Sequence, residues 1–285
     1  FKVPHRHVVL SVASELWSYL LTDRKLWKVY MNSAMDTLDD YLPKITKQNI
    51  TPGVIVIFHP FGKDMKFQPH LHLIITEGGF NSKHEFVSQF YLKAEGLATC
   101  WKHHVCKNLC KAGVPFKVTN WCFWNKRFYV WVHKDGRIKH PKLIARYLGR
   151  YVRHPAIANS RIDFFNKIAL KVGFHYENHE KQKINVVMTT DKFITALIQH
   201  IPDSQFKMIR YYGAYARHRR KLYKAYLQSS IEQKSLLIYG VKKPERILSC
   251  PYCGGIIDFV MVLKKPPPDK LNSQKELSEW ISRNS

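Results

Sequence analysis

The spacing of apolar and polar positions changes several times along this chain, and the changes outline its elements. Residues 7 to 12 read as a short strand. From 14 to 42 apolar residues recur at helical spacing (Leu16, Leu20, Leu21, Trp27, Met31, Met35, Leu38, Leu42), which predicts one long helix or two with a break near Thr22-Asp23. Pro43 and Pro52-Gly53 mark a turn region. Val54 to His59 is a strongly apolar strand, Pro60 to Asp64 turns, and Gln68 to Thr76 returns as the second arm of an antiparallel hairpin ended by Gly78-Gly79. Residues 83–112 read as a helix. Lys117 to Trp124 and Arg127 to His133 read as a pair of aromatic strands. A further helix starts near Pro141 and stops before Pro155. Ile162 to Phe174 and Ile184 to Met188 suggest two strands, and 190–200 and 205–228 suggest helices. This order predicts an α+β fold in which an antiparallel sheet carries helices on one face.

Charge then narrows the partner. The 285 residues hold 46 Lys+Arg against 21 Asp+Glu, a net +25, which favours a polyanion such as nucleic acid. No apolar run approaches the ~20 residues of a membrane span, so no membrane partner is expected. Six cysteines without a secretion signal point to a reduced, cytoplasmic setting. The chain opens on Phe1-Lys2-Val3-Pro4-His5, which reads as a fragment whose N-terminal part is missing.

Two constellations carry candidate chemistry. In Gln68-Pro69-His70-Leu71-His72, the two-residue period of a strand puts His70 and His72 on one face and Leu71 on the other. Alone, such a pair is more often a half-exposed polar face. His59, returned beside His70 by the hairpin, supplies a third imidazole, with Gln68 as the alternative. Imidazoles permit several metals, and a phosphate-bearing substrate shifts the choice to Mg²⁺ or Mn²⁺. The second constellation is Tyr147 and Tyr151, four apart on a helix and flanked by Arg146, Arg150 and Arg153. A core stripe is the ordinary explanation, but Leu143, Ile144, Leu148 and Val152 already provide an apolar face. The tyrosines are left on a basic flank, where a phenolate can act as nucleophile.

His70-Leu71-His72 together with Tyr147-Leu-Gly-Arg-Tyr151 resembles the signature of the two-tyrosine rolling-circle insertion-sequence transposases of the HUH endonuclease superfamily. His59-Pro-Phe-Gly, Ala156-Ile-Ala-Asn-Ser-Arg161, Ile209-Arg-Tyr-Tyr-Gly213 and Cys250-Pro-Tyr-Cys253 occur in the same order, so the resemblance covers most of residues 5 to 260. It implies a palm of RRM or ferredoxin-like type over 1–175 as the catalytic domain, a basic helical extension contacting DNA over 176–260, and a tail over 261–285. It also implies a transposase that nicks and joins single-stranded DNA at transposon ends and target. Tyr147 or Tyr151 would form a 5′-phosphotyrosine, and His59, His70 and His72 would hold one divalent cation. The cysteine-rich N-terminal segment usual in such proteins has no counterpart here. Rival readings are a replication initiator or relaxase of the same superfamily, and a non-catalytic DNA-binding module.

The remaining signals are weaker. Arg217, Arg219, Arg220 and Lys221, interleaved with Tyr211, Tyr212, Tyr215, Tyr223 and Tyr226, suit backbone contacts and base stacking on single-stranded DNA. His5-Arg6-His7 reads as a solvated strand edge or a DNA contact. The helical spacing of Cys106 and Cys110 points to a packed face rather than a zinc site.

Overall fold

The structure is a computed structural model and describes residues 3–88, 92–138, 157–177 and 180–228. The chain divides into two units, Phe1–Ile231 and Glu232–Ser285, and the second lies outside the described residues. Strand β1 (His5–Ser11) leads through a 3-10 turn at Ser14–Leu16 into α1 (Trp17–Thr22) and α2 (Lys25–Thr46). Then come β2 (Thr51–Phe61), β3 (Phe67–Phe80), β4 (Phe86–Ser88), α3 (Ala94–Lys111), α4 (Phe116–Asn125) and β5 (Val130–Ile138). After residues 139–156, which lie outside the described set, β6 (Ile162–Asn166), β7 (Lys171–Glu177), β8 (Lys183–Thr189), α5 (Thr190–His200) and β9 (Ile209–Gly213) follow.

The main sheet runs β5-β1-β3-β2-β9, with β4 added to the far end of β3, and all its pairings are antiparallel. Alternation divides its side chains. Val8, Leu10, Val54, Val56, Phe58, Leu71, Leu73 and Ile75 turn to one face and share a core with Trp27, Tyr30, Met31 and Leu38 of α2 and Trp101 and Val105 of α3. Phe58 sits edge-on between Trp27 (5.0 Å) and Tyr30 (5.8 Å). The buried polar tips are satisfied: the Trp101 indole N–H donates to the Ser11 carbonyl at 2.8 Å, and the Trp27 indole to that of Leu20 at 2.7 Å. This is the expected α+β layering, and it leaves the second face of the sheet to His7, Val9, His59, His70 and His72.

A smaller sheet, β6-β7-β8, packs with α5 around Val172, Phe174 and Phe193, and Met65 from the β2–β3 turn joins that cluster. Arg161 bridges the two, donating to the carbonyls of His175 (2.8 Å) and Lys63 (2.6 Å). Among the described residues no helix is long and apolar enough to cross a membrane. Cys100, Cys106 and Cys122 are buried free thiols, and burial pushes Cys106 up to about 12, as suits a packed face.

Several expectations need correction. Ile162 to Phe174, expected as one strand, is divided between the antiparallel strands β6 and β7 by a turn at 167–170. Residues 117–124 form helix α4, not a strand. The aromatic residues suggest β structure, but Val118, Thr119, Cys122 and Phe123 follow the helical period and pack inward, while Phe116, Trp121 and Trp124 stay exposed. Residues 205–228 are not one helix: Ile209–Gly213 pair with β2 as the sheet edge, and helix begins only at 220. Pro52 and Gly53 do not mark a turn, since they belong to β2 and pair with Gly79 and Gly213, and neither does Pro43. It lies in the last stretch of α2, which closes at Lys47 in the left-handed conformation, its N–H bonded to the Pro43 carbonyl at 2.9 Å. The helix expected over 83–112 starts at Ala94, because Phe86–Ser88 pair with Gly78–Phe80.

Candidate metal centre

Strand pairing assembles the histidines. His59 on β2 lies directly opposite His70 on β3, and His72 stands two residues further on, opposite Ile57. Leu71, Leu73 and Phe58 turn into the core from the intervening positions, so the three imidazoles must share the other face. Their ring centroids are 5.3 Å (His59–His70), 4.6 Å (His59–His72) and 5.0 Å (His70–His72) apart. One ring nitrogen from each lies within 4.8 Å of the other two. That spacing lets a single divalent cation gather all three after small side-chain rotations.

The electrostatics suit ligation. Burial, then the proximity of His70 and His7, holds His59 down to about 3. Burial, then His59, His70 and His7, holds His72 down to about 2, and burial also lowers His70. All three are therefore neutral at pH 7 with a lone pair to offer. The Nδ1–H of His70 donates to the Gln68 carbonyl at 2.7 Å, which leaves Nε2 as the donor atom toward the site. Gln68, weighed as an alternative ligand, thus contributes its main chain, and its side-chain oxygen lies against the Gly62 turn. The donor set fits a divalent metal that accepts imidazole nitrogen.

His5-Arg6-His7 is no solvated edge, because β1 sits inside the sheet between β5 and β3. His7 stacks on His72 (centroids 5.1 Å) with Nε2 2.8 Å from its Nδ1. Arg6 is buried against Glu77, its Nε donating to Oε1 at 2.8 Å. His5 is buried at 1% exposure and accepts from the Tyr215 hydroxyl at 2.5 Å, burial holding His5 down to about 4 and raising Tyr215. The sequence did not mark His7 as a neighbour of the triad. Its signal was the strand alternation that placed it on the face of the other histidines.

The candidate nucleophiles Tyr147 and Tyr151, with Arg146, Arg150 and Arg153, lie outside the described residues. Arg217, Arg219, Arg220 and Lys221 are all exposed. They stand away from the triad: Tyr223, on the helix that follows, packs on Phe80 at 4.7 Å, and Phe80 lies eight residues beyond His72 on β3. At ~3.3 Å per residue that is roughly 26 Å along the strand. Of the interleaved tyrosines, Tyr215 and Tyr223 are buried and only Tyr211 is exposed, so stacking on the whole series does not hold.

The family model Y2_Tnp, described as "Putative transposase", matches residues 53–222, which include the whole triad. The chain is 25% identical over 225 residues to the "Transposase for insertion sequence element IS801" of Pseudomonas savastanoi pv. phaseolicola, covering 74% of this chain and 54% of that protein. It is 23% identical over 190 residues to "Putative transposase y4qJ" of Sinorhizobium fredii, covering 56% and 45%. The chain thus spans about half the length of the curated relatives it matches. No solved structure matches it. Because the family model covers more than half of the sequence, as the motifs implied, the chain belongs to the Y2_Tnp transposase family.

Proposed function

We propose that the protein nicks and rejoins single-stranded DNA during transposition of an insertion sequence, with His59, His70 and His72 holding one Mg²⁺ or Mn²⁺. The observation that carries this reading is the convergence of three neutral imidazoles on one face of a sheet, in a chain of a transposase family with a net charge of +25. A divalent cation there would polarise the scissile phosphate and offset charge on the leaving oxygen. Tyr147 or Tyr151 attacks phosphorus through its phenolic oxygen. The bond from phosphorus to the 3′ oxygen breaks, the phenolic proton is lost, and the departing 3′ oxygen takes up a proton. The products are a 5′-phosphotyrosine and a free 3′-hydroxyl. The other tyrosine takes the second strand. Arg146, Arg150 and Arg153 flank the tyrosines as phosphate contacts, and Arg217, Arg219, Arg220 and Lys221 hold the DNA backbone further away.

The test is a covalent adduct. Single-stranded oligonucleotide carrying an element end, incubated with protein and Mn²⁺, is expected to give a protein–DNA species that survives denaturing electrophoresis. It should vanish in the Tyr147→Phe plus Tyr151→Phe double variant and with chelator. An adduct that persists in the double variant, or none with the unaltered protein, overturns the reading.

A further inference from the structure

We propose that Tyr129 and Trp131 form a stacking edge that grips the bases flanking the scissile phosphate, an inference that rests on the single-strand reading above. The two rings reach the histidine face by alternation. Val130 and Val132 turn into the core, so Tyr129 and Trp131 turn the other way. Their register ties them to the triad. Val9 of β1 pairs with Trp131 on one side and with His72 on the other. Ser11 donates its N–H to the Tyr129 carbonyl at 2.9 Å and pairs with His70. Trp131 also meets His7 edge-on at 5.8 Å, and His7 stacks on His72. A continuous row of rings, Trp131–His7–His72, therefore crosses three neighbouring strands, roughly 10 Å from end to end.

The rings at the outer end remain accessible: Tyr129 is 60% exposed and Trp131 39%. Among the described residues β5 is the outer strand of the sheet. A second copy of this chain would bring +25 against +25. A single-stranded polyanion is drawn by that charge, and each of its bases offers a flat face to a ring whatever its identity. Arg127, exposed just before Tyr129, adds a cation for the backbone. A base held here sits within a few nucleotides of a phosphate held by the histidines, so the edge would fix the register of the strand.

The experiment uses the full chain with chelator present, so that no cleavage enters the readout. Fluorescence anisotropy compares a polythymidylate of about 20 nucleotides with an abasic strand of the same length. The unaltered protein should prefer the strand with bases. Tyr129→Leu and Trp131→Leu should each weaken that binding about tenfold and leave abasic binding unchanged. Tyr129→Phe and Trp131→Phe should restore it. Mn²⁺ binding, measured separately without chelator, should persist in Tyr129→Leu. Equal affinity for the two strands, or unchanged binding in Tyr129→Leu, overturns the proposal. So does a dimer in sedimentation that the leucine variants dissociate, since the edge would then belong to a second copy. Failure to form the covalent adduct in the earlier experiment bears on the chemistry alone, because this readout needs neither metal nor tyrosine nucleophile.

Discussion

The Nε2 atom of His7 lies 2.8 Å from Nδ1 of His72, with the two rings stacked. For His72 to offer Nε2 to a cation, its proton must sit on Nδ1 and be donated to His7. His7 would then fix the tautomer of His72 for ligation. His7→Leu removes the acceptor and should weaken Mn²⁺ binding about 10–100-fold in titration calorimetry, while His7→Gln, which keeps an acceptor, should lose less. Equal affinities for His7→Leu and the unaltered protein would show that the contact is packing alone.

The pair Arg6–Glu77 is buried on both sides. Removing one partner leaves the other buried charge with less compensation, so Glu77→Gln or Arg6→Met should each destabilise by about 3–5 kcal/mol in urea unfolding. The double replacement Arg6→Met plus Glu77→Leu should recover much of that loss, because no charge remains to desolvate. Additive losses in the double variant would count against this account.

Acid should loosen the fold through His5. Its folded value of about 4 lies below the ordinary histidine value of 6.5, the shift arising chiefly from burial. Between those values the unfolded chain binds the proton more readily, so stability is full above pH 6.5 and falls as pH drops toward 4. The loss from this one group is about 3 kcal/mol. His5→Leu should flatten that part of the curve measured by urea unfolding at stepped pH. A slope unchanged in the variant would assign the acid sensitivity elsewhere.

Gly213 closes β9 at φ +56, and a Cβ there would meet the Pro52 carbonyl oxygen at 2.0 Å. That same carbonyl accepts from Ala214 N–H at 2.9 Å. Gly213→Ala should therefore destabilise by about 2–4 kcal/mol and raise amide exchange along β9. Protection that survives on Tyr211 and Tyr212 would argue that β9 docks without this turn.

Legibility followed the range over which each signal acts. The β2–β3 hairpin and its three histidines were readable because alternation, a short turn and the ligands all lie within one local stretch. The break between α1 and α2 near Thr22-Asp23 was readable for the same reason. Strand β9 was not: what makes Ile209–Gly213 a strand is pairing with Gly53–Ile57, far away in sequence, and its basic surroundings resemble a helix face. Helix α4 was misread because its exposed aromatics outweighed its inward period. His7 was misread because His5-Arg6-His7 was taken for a solvated edge or a DNA contact, whereas β1 is flanked on both sides by other strands.

All three imidazoles come from one hairpin, and this gives a bound ion an unusual place in folding. Closing so short a loop carries little entropy, so a cation can meet these ligands before the helices have landed. An ion that also binds the unfolded ensemble raises thermal stability by less than its affinity implies. Its influence goes instead to strand alignment. A slip of one residue between β2 and β3 would turn His59 and the His70–His72 pair to opposite faces, and only the native alignment keeps three nitrogens together. The metal would act as a proofreader of hairpin alignment, rejecting shifted pairings that the apolar β-branched residues alone would tolerate.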